Sequence, residues 1–281
     1  MRVASLDSNS PLASAVSAQD LSLRYSSRSP ETRSVALDGV SFDIAAGEVL
    51  AVVGETGSGK STLARAVALE SDRLDESSPR ISGGQLSVLG TPIRGISSRR
   101  RGRLGLYVGY VRQEAGDRLQ PRLTVGENVA EPIYARDRRF NQNDAGEAVA
   151  TVIDSVRLPL TTMNQYPHEL SKGQRQRVAI ARAMILEPRV LVADDPTAGI
   201  DVTARRTILD IIVSLQKSRG FSALIVTADL AEVRRVSTRV AIMHRGVIVA
   251  LGPLDEVLAR PEHPYVKGLA RSLHQRGTSK E

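Results

Sequence analysis

The sequence contains no cysteine. Disulfide bonds, thiolate metal sites and cysteine-ligated iron–sulfur clusters are therefore excluded, because all three need a cysteine sulfur. Long apolar runs are lacking as well, the longest being short stretches such as VLAVV at 49–53. A membrane-spanning helix needs roughly 20 apolar residues, so we do not expect this chain to cross a bilayer by itself.

The composition that is present indicates a globular protein. Of its 281 residues, 41% are hydrophobic and 25% are charged, which suffices for one sizeable core with a subdomain. The formal net charge of +7 suits a nucleic-acid or anionic membrane partner, although many soluble proteins are equally basic. Residues 1–17 are rich in serine and alanine, lack an apolar segment and include Asp7, which favours a disordered start over a secretory signal.

Strand and helix patterns alternate along the rest of the chain. This order predicts an α/β fold with a mainly parallel sheet. The stretch from Thr124 to Glu187 has several helical periods and no strand pattern, so we expect a helical insertion there. The predicted strands are 21–25, 40–44, 48–54, 106–111, 189–194, 222–227 and 239–244.

The segment GETGSGKST at residues 54–62 fits the pattern G-x-x-x-x-G-K-[ST] and lies between a predicted strand and a predicted helix. Glycines let backbone N–H groups curl around phosphate oxygens, the helix N-terminus adds positive potential, and Lys60 supplies a point charge. A glycine-rich turn without a ligand is the alternative, which the flanking strand and helix disfavour. We call residues 54–62 the phosphate-binding loop; its candidate nucleotide-binding residues are Gly54, Gly57, Ser58, Gly59, Lys60, Ser61 and Thr62.

A second nucleotide-binding element is VLVADD at 190–195, an apolar strand that ends in two aspartates. A carboxylate in this position holds Mg²⁺ or its water, so Asp194 is the candidate, together with the hydroxyl of Ser61. Taken alone, an acidic pair after a strand more often indicates a solvated turn or a helix cap. The presence of a phosphate-binding loop favours the metal-binding interpretation.

Between these two elements lies LSKGQRQRVAIARAMILEP (170–188), which resembles the signature sequence LSGGQ of the ATP-binding-cassette (ABC) ATPases and the helix that follows it. We call Leu170–Gln174 the signature segment. Other elements of that family match Tyr25, Gln113 and Asp201, and the resemblance extends over nearly the whole chain from about residue 18. It implies a P-loop NTPase core with an N-terminal antiparallel β part, and a helical subdomain at about 124–187.

Three further segments resemble the oligopeptide, dipeptide and nickel importer branch of this family. They are DRLQPRLTVGENVAEPI (117–133), YPHEL (166–170) and HPYVKGLARSL (263–273). The branch has an HPY tail after the last strand of the nucleotide-binding domain. The resemblance therefore implies an ABC ATPase domain at 18–255, followed by a C-terminal tail at 256–281.

The resemblance also implies how ATP and Mg²⁺ are bound. Two such domains face each other head to tail, and each ATP lies between one phosphate-binding loop and the partner's signature segment. Ser171, Gly173 and Gln174 would face the partner's nucleotide, although Ser171 is also explained as a plain helix N-cap. Asp201 would belong to the nucleotide site as well.

Two other family positions have assigned roles. Tyr25 would stack on adenine, and its alternative is an ordinary strand aromatic. Gln113 would reach Mg²⁺ or the attacking water while its loop touches a transmembrane partner, the alternative being a structural glutamine at a strand end.

Two positions depart from the family pattern. The family has a glutamate after the Mg²⁺-binding aspartate, where this chain has Asp195, and a histidine where this chain has Ala228. An aspartate side chain is one carbon–carbon bond shorter than a glutamate, so its carboxylate lies back by about 1.5 Å. A misplacement of about 1 Å can cost ~10²-fold in rate. We therefore predict a site that binds ATP and hydrolyses it slowly. Lys172, where the family has glycine, could crowd the phosphate or add a favourable charge.

The expected assembly follows from these departures. Two slow sites would power transport poorly, so we predict a heterodimer with a second ABC ATPase subunit, bound to two transmembrane permease subunits at the cytoplasmic face of the membrane. An extracellular solute-binding protein would act indirectly, and peptides are the expected substrates, with nickel and other small solutes as the alternative. RRRGR at 99–103 lacks interleaved aromatics, so we interpret it as a solvated basic face and expect no nucleic-acid partner.

Two alternative functions remain open from the sequence. One is a soluble ABC-type ATPase that moves something other than a permease, for example on nucleic acid or in a multi-enzyme assembly. The other is a regulatory subunit that binds nucleotide with negligible turnover.

Overall fold

A computed structural model describes residues 14–25, 35–72 and 78–278, with side chains described up to residue 271. We expected a disordered start at residues 1–17, but Val16 and Ser17 already belong to the first strand. The boundary expected after residue 17 therefore falls inside this strand. Residues 1–13 lie outside the described residues. The strands in chain order are β1 (Val16–Arg24), β2 (Val35–Ile44), β3 (Val49–Gly54), β4 (Arg80–Val88), β5 (Thr91–Pro92), β6 (Val108–Val111), β7 (Val190–Asp194), β8 (Ser222–Val226), β9 (Arg239–His244) and β10 (Val247–Pro253).

The larger of the two sheets confirms the predicted parallel core. Its strand order is β10-β9-β3-β8-β7-β6, and each neighbouring pair is parallel except β10-β9. All five residues of β7 and of β8 are buried, as expected for apolar strands covered on both faces. Because β3, β8 and β7 are adjacent and parallel, the segments that follow them meet at one edge of the sheet.

The smaller sheet is antiparallel, with the order β2-β1-β4-β5. It confirms the N-terminal antiparallel part that the family resemblance implied. Strands β4, β5 and β10 were not predicted. In β4 the strand pattern is broken by two adjacent glycines, Gly83 and Gly84. Gly84 has a φ of +65°, and a Cβ added to it would lie 2.1 Å from Asp20 O, so no side chain fits there.

The helical insertion is present between β6 and β7. Its first helix begins at the predicted position, because Thr124 caps it in a reciprocal capping box with Glu127. A later helix, Lys172–Met184, starts after Ser171 in the signature segment. The helices of the described residues are α1 (Lys60–Val67), α2 (Ser98–Gly105), α3 (Val125–Arg136), α4 (Gln142–Ser155), α5 (Lys172–Met184), α6 (Val202–Arg219), α7 (Leu230–Val236), α8 (Leu254–Ala259) and α9 (Pro264–Thr278).

The C-terminal tail belongs to the same core as the large sheet. Val266 and Ala270 of α9 are buried in one apolar cluster with Ala51 and Val53 of β3. Helix α8 begins at Leu254, so the boundary that we expected after residue 255 falls inside an element. In the described part of the chain, no helix is both long enough and apolar enough to span a membrane.

Candidate nucleotide-binding site

The phosphate-binding loop connects β3 to α1 at the edge of the large sheet. Gly59 caps α1 with φ of 100°, a left-handed conformation that glycine adopts without strain. A Cβ at Gly59 would lie 2.5 Å from Ala36 O and one at Gly57, also left-handed, would meet nothing within 4 Å. Gly59 is thus required by its surroundings, whereas Gly57 keeps one side of the loop open.

The Lys60 ammonium lies within the curve of this loop. Its Nζ donates hydrogen bonds to Gly54 O at 2.8 Å and to Glu55 O at 2.7 Å. Burial lowers the pKa of Lys60, and the charges of Asp194, Asp195 and Glu55 oppose that shift. A positive charge is therefore held at the loop by nearby carboxylates, where an anionic ligand would be attracted.

Asp194 and Ser61 are brought together as the sequence predicted. Ser61 donates a hydrogen bond to Asp194 Oδ1 at 2.9 Å, and Asp194 is only 4% exposed. Burial raises the pKa of Asp194, while the Ser61 bond and the Lys60 charge lower it. A hydroxyl beside a carboxylate is an oxygen donor set of the kind that Mg²⁺ prefers.

Asp195 and Ala228 follow the neighbouring strands β7 and β8. Asp195 has φ of 48° and its N–H donates to Val226 O at 2.9 Å, which ties it to the end of β8. Burial raises the pKa of Asp195, and the charges of Glu232 and Asp194 raise it further. Ala228 is exposed and carries no group that could hydrogen-bond to a phosphate or a water.

Glu232 lies behind this pair and was not identified from the sequence. It is 8% exposed and accepts hydrogen bonds from Thr197 at 2.9 Å and from Thr227 at 2.6 Å. Thr197 belongs to the loop after β7 and Thr227 follows β8. The carboxylate of Glu232 thus links the two segments that carry Asp195 and Ala228.

Tyr25 lies against the helix that the phosphate-binding loop starts. Its hydroxyl is 3.1 Å from Thr62 Oγ1, and Arg65 donates to the same hydroxyl at 3.3 Å. The guanidinium carbon of Arg65 is 5.9 Å from the ring centroid. Tyr25 is therefore brought to the loop, and its stacking on adenine stays a prediction.

Gln113 is exposed, two residues beyond the end of β6. Its loop is fixed by Gln176 of α5, which accepts from Gly116 N and donates to Pro196 O, both at 2.9 Å. Gln176 was also missed. Gln176 shares the buried face of α5 with Gly173 and Met184. The helical spacing of these residues in the sequence is the signal that could have identified Gln176 as a buried polar side chain.

The signature segment combines its predicted cap with a lysine contact. Ser171 Oγ accepts from Gln174 N at 3.2 Å and Gln174 Oε1 accepts from Ser171 N at 2.9 Å, which confirms the N-cap. Lys172 turns to the loop after β6, with Nζ 3.8 Å from Glu114 Oε1 and 3.7 Å from Asp117 Oδ2. Its charge is shared by two carboxylates of the same chain.

Within the described residues, no hydrogen bond or ion pair joins Ser171, Gly173 or Gln174 to the phosphate-binding loop. A Cβ at Gly173 would lie 3.0 Å from Ala204 Cβ of α6. Asp201 caps that helix by accepting from Ala204 N at 2.9 Å. The signature segment and Asp201 therefore lie together, at the N-termini of two neighbouring helices.

The residues present fit a magnesium nucleoside triphosphate. The loop has an open side at Gly57, a lysine ammonium and a helix N-terminus, and the buried Asp194 with Ser61 offers oxygen ligands. These groups complement phosphate oxygens and a hard divalent cation.

The basic run at 99–103 is only partly a solvated face. Arg99, Arg100 and Arg103 are exposed. Arg101 is half-buried and donates to the carbonyl oxygens of Leu69, at 2.8 Å, and Ser71. One arginine of the run therefore has a structural role at the end of α1.

Comparison with known proteins agrees with this site. The model of the ABC transporter family matches residues 37–198. The chain is 36% identical over 238 residues to the oligopeptide transport ATP-binding protein OppF of Salmonella typhimurium, covering 85% of this chain and 69% of that protein. It is 38% identical over 234 residues to the di/tripeptide transport ATP-binding protein DppF of Pseudomonas aeruginosa, covering 83% of this chain and 70% of that protein.

A solved structure has the same fold. The dimeric post-hydrolysis state of an ATP-binding cassette bound to ADP and Pi superposes with a TM-score of 0.74 at 26% identity, covering 85% of this chain and 98% of the other. The family model matches more than half of this chain, and the curated relatives match over most of its length. The chain is therefore a member of the ABC transporter family.

Proposed function

We propose that this protein is the ATP-binding subunit of a peptide importer, and that its own nucleotide site binds ATP but hydrolyses it slowly. Similarity to OppF and DppF, whose names specify oligopeptide and di/tripeptide transport, supports peptide import. Members of the family bind ATP, typically with Mg²⁺. The subunit would work at the cytoplasmic face of the membrane, with an extracellular solute-binding protein acting indirectly.

One observation carries the proposal of slow hydrolysis: the binding groups are complete while the groups that act on water are weakened. Lys60 lies within the loop and Ser61 is bonded to Asp194. Asp195 is one bond shorter than a glutamate, and Ala228 offers no hydrogen bond. This combination favours a site that still binds ATP but activates the attacking water poorly.

Each residue then has a limited chemical role. Lys60 and the N–H groups of the loop hold the triphosphate, and Ser61 with Asp194 hold Mg²⁺, which neutralises phosphate charge when it is bound. Asp195 would accept a proton from the attacking water; burial and the charge of Glu232 raise its pKa. Tyr25 would supply an aromatic surface for the base, and Gln113 would contact Mg²⁺ or the water.

The signature segment supports a second ATPase subunit as partner. Ser171 and Gly173 lie at the N-terminus of a 13-residue helix, where backbone donors and the helix dipole favour an anion. No contact joins these residues to the phosphate-binding loop of the same chain within the described residues. We propose that they serve the partner's ATP, and that the partner's site, with its own glutamate and histidine, provides most of the turnover.

A groove between the large sheet and the helical insertion supports docking of a permease. It has a volume of about 460 Å³ and is lined by β6, α2, α3 and α5, with Tyr110, Arg112, Ala135 and Arg182 among its residues. Arg182 bridges to Glu131 of α3 at 2.8 Å. The groove adjoins Gln113, so a permease helix that enters it would contact the loop between the two subdomains.

Binding and turnover by the purified full-length chain test this proposal. We expect it to bind magnesium ATP, and to release phosphate about 10²-fold more slowly than a family member that has both the glutamate and the histidine. Co-purification with two polytopic membrane proteins would support the importer, whereas assembly with nucleic acid or soluble enzymes would support a non-transport ATPase. Brisk turnover by the lone chain would contradict the slow site.

A further inference from the structure

The back of the phosphate-binding loop rests on the turn that joins β9 to β10. Gly246 N donates to Ser58 O at 3.1 Å, and Ser58 N donates to Glu55 O at the same distance. A Cβ at Gly54 would lie 2.2 Å from Met243 O. The loop is thus in direct contact with residues 243–246, which lie at the turn between the last two strands of the chain's described part.

A ring cluster joins this turn to the tail. His244 stacks on Tyr265 with ring centroids 4.6 Å apart and planes at 23°, and the His263 ring is 5.5 Å away. His263 Nδ1 accepts from Tyr265 N at 3.2 Å, which fixes the first turn of α9. The HPY segment, which the sequence offered only as a family marker, therefore packs beside the nucleotide site.

The His244 ring reaches Glu55, the second residue of the phosphate-binding loop, and Tyr265 packs against that ring. His244 Nδ1 is 2.9 Å from Glu55 Oε1, close enough for an ion pair, although the direction is poor for a hydrogen bond. Burial and the charge of Glu55 raise the pKa of Tyr265. The Tyr265 ring thus supports the His244 ring, which meets the Glu55 carboxylate.

Glu55 also contacts Lys60, the lysine of the phosphate-binding loop. Its carbonyl accepts from Lys60 Nζ at 2.7 Å and from Ser58 N at 3.1 Å. A shift of the Glu55 backbone would therefore move the acceptors that orient Lys60. The first turns of α9 are also anchored by burial, because Val266 and Ala270 pack in one apolar cluster with β3.

We propose that Tyr265 and His244 are positioning residues for nucleotide binding, which fasten the C-terminal tail to Glu55 and so hold the phosphate-binding loop in its binding conformation. This inference rests on ATP binding by the loop. It assigns the HPY segment a role in nucleotide affinity, separate from contact with any other subunit. A preorganised loop binds more tightly because less ordering accompanies binding.

Tyr265→Leu tests the inference on the purified full-length chain, since it keeps an apolar side chain in the first turn of α9 and removes the ring that stacks on His244. We expect the Kd for magnesium ATP, measured with a fluorescent ATP analogue well below the Tm, to rise about five-fold, the effect of one aromatic pair. Any turnover should show a raised KM with kcat unchanged. Tyr134→Leu, at a half-buried tyrosine of α3 in the helical insertion, is the matched control and should leave the Kd unchanged.

His244→Phe gives a second route, because it keeps a ring against Tyr265 and removes the pairing with Glu55. It should also raise the Kd, and combining it with Glu55→Gln should add little, since both changes remove the same contact. Should Tyr265→Leu fail to fold, this pair of variants decides the question.

The outcomes separate this inference from the proposed function. A lower Tm with an unchanged Kd would make the cluster purely structural and overturn the inference alone. An additive effect of His244→Phe and Glu55→Gln would overturn the coupling between tail and loop. Failure of the unaltered chain to bind ATP would overturn the proposed function and the inference together.

Discussion

At the scale of single residues, Asp195 and Ala228 decide how this site treats water. They follow adjacent strands, and Asp195 N is bonded to Val226 O at 2.9 Å. A longer carboxylate at 195 and an imidazole at 228 would thus extend from neighbouring backbone positions. Ala228 is exposed, so a larger side chain there would not displace the core.

The first prediction restores both groups. Asp195→Glu combined with Ala228→His should raise ATP hydrolysis by the isolated chain about 10²-fold, the usual contribution of a well-placed general base. Phosphate release at saturating ATP measures it. The control combines Asp195→Glu with Ala231→His, which adds an exposed histidine three residues further along; an equal gain from that control would contradict the assigned role of position 228.

The second prediction concerns the pH dependence of stability. The pKa of Asp195 is raised in the folded protein, chiefly by burial, so its favourable contribution is full below the unfolded pKa and is lost as pH rises through the folded pKa. Asp195→Asn should therefore raise the Tm of the nucleotide-free chain near pH 7, by about 1–2 °C given solvent screening. The gain should shrink toward about pH 4.

Asp210→Asn is the control of opposite sign. A hydrogen bond from Arg235 lowers the pKa of Asp210, so its contribution is present above the unfolded pKa and is lost as pH falls through the folded pKa. This variant should lower the Tm near neutral pH. Thermal melts of both variants across the same pH series would refute the account if the two changed in the same direction.

At the scale of elements, Glu232 fastens the segments after β7 and β8 to α7. Its two threonine partners are both 2% exposed, so removal of the carboxylate would leave two buried hydroxyls without their acceptor. We predict that Glu232→Ala lowers the free energy of unfolding by about 1–3 kcal/mol, measured by urea denaturation. Glu232→Gln keeps an acceptor oxygen and should cost less; equal losses would show that the hydrogen bonds do not contribute.

The elements that the sequence predicted are those whose physical signal is local. The strands β3, β7 and β8 are continuous apolar runs, and the phosphate-binding loop has fixed spacing between a strand and a helix. Strands β4 and β10 were missed because β4 contains two adjacent glycines and because six of the seven residues of β10 are only half-buried. Neither shows an uninterrupted apolar pattern.

Contacts between distant segments could not be predicted in this way. Glu232 in a short helix has the sequence appearance of a solvated acid, and only the approach of Thr197, 35 residues away, shows that it is buried. The same holds for His244 at the end of β9, which meets Glu55 only because β3 is its neighbour in the large sheet. The adenine, Mg²⁺ and partner contacts of Tyr25, Gln113 and Ser171 remain predictions.

At the scale of the whole molecule, α5 both lines the groove and contacts the loops at the edge of the large sheet. Gln176 bonds to Gly116 and Pro196, so α5 touches both the loop after β6 and the loop after β7. Movement of the insertion would therefore be transmitted to the Gln113 loop. Such a connection would let a docked partner respond to the nucleotide state of this subunit.

A bulky side chain in the groove should block that docking. Ala135 lines the groove and is exposed, so we predict that Ala135→Trp abolishes co-purification with the permease subunits and leaves ATP binding by the isolated chain unchanged. Ala259→Trp, an exposed position of α8, is the matched control. Loss of co-purification in the control alone would place the permease on the other side of the molecule.

The most direct measurement of the central claim is ATP hydrolysis by the assembled complex after removal of one carboxylate at a time. One variant carries Asp195→Ala in this chain, and the other lacks the equivalent carboxylate in the partner ATPase subunit. If the two sites are unequal, most turnover should survive Asp195→Ala in this chain and should be lost when the partner subunit lacks its carboxylate. Loss of turnover with Asp195→Ala, and its survival in the partner variant, would contradict the account.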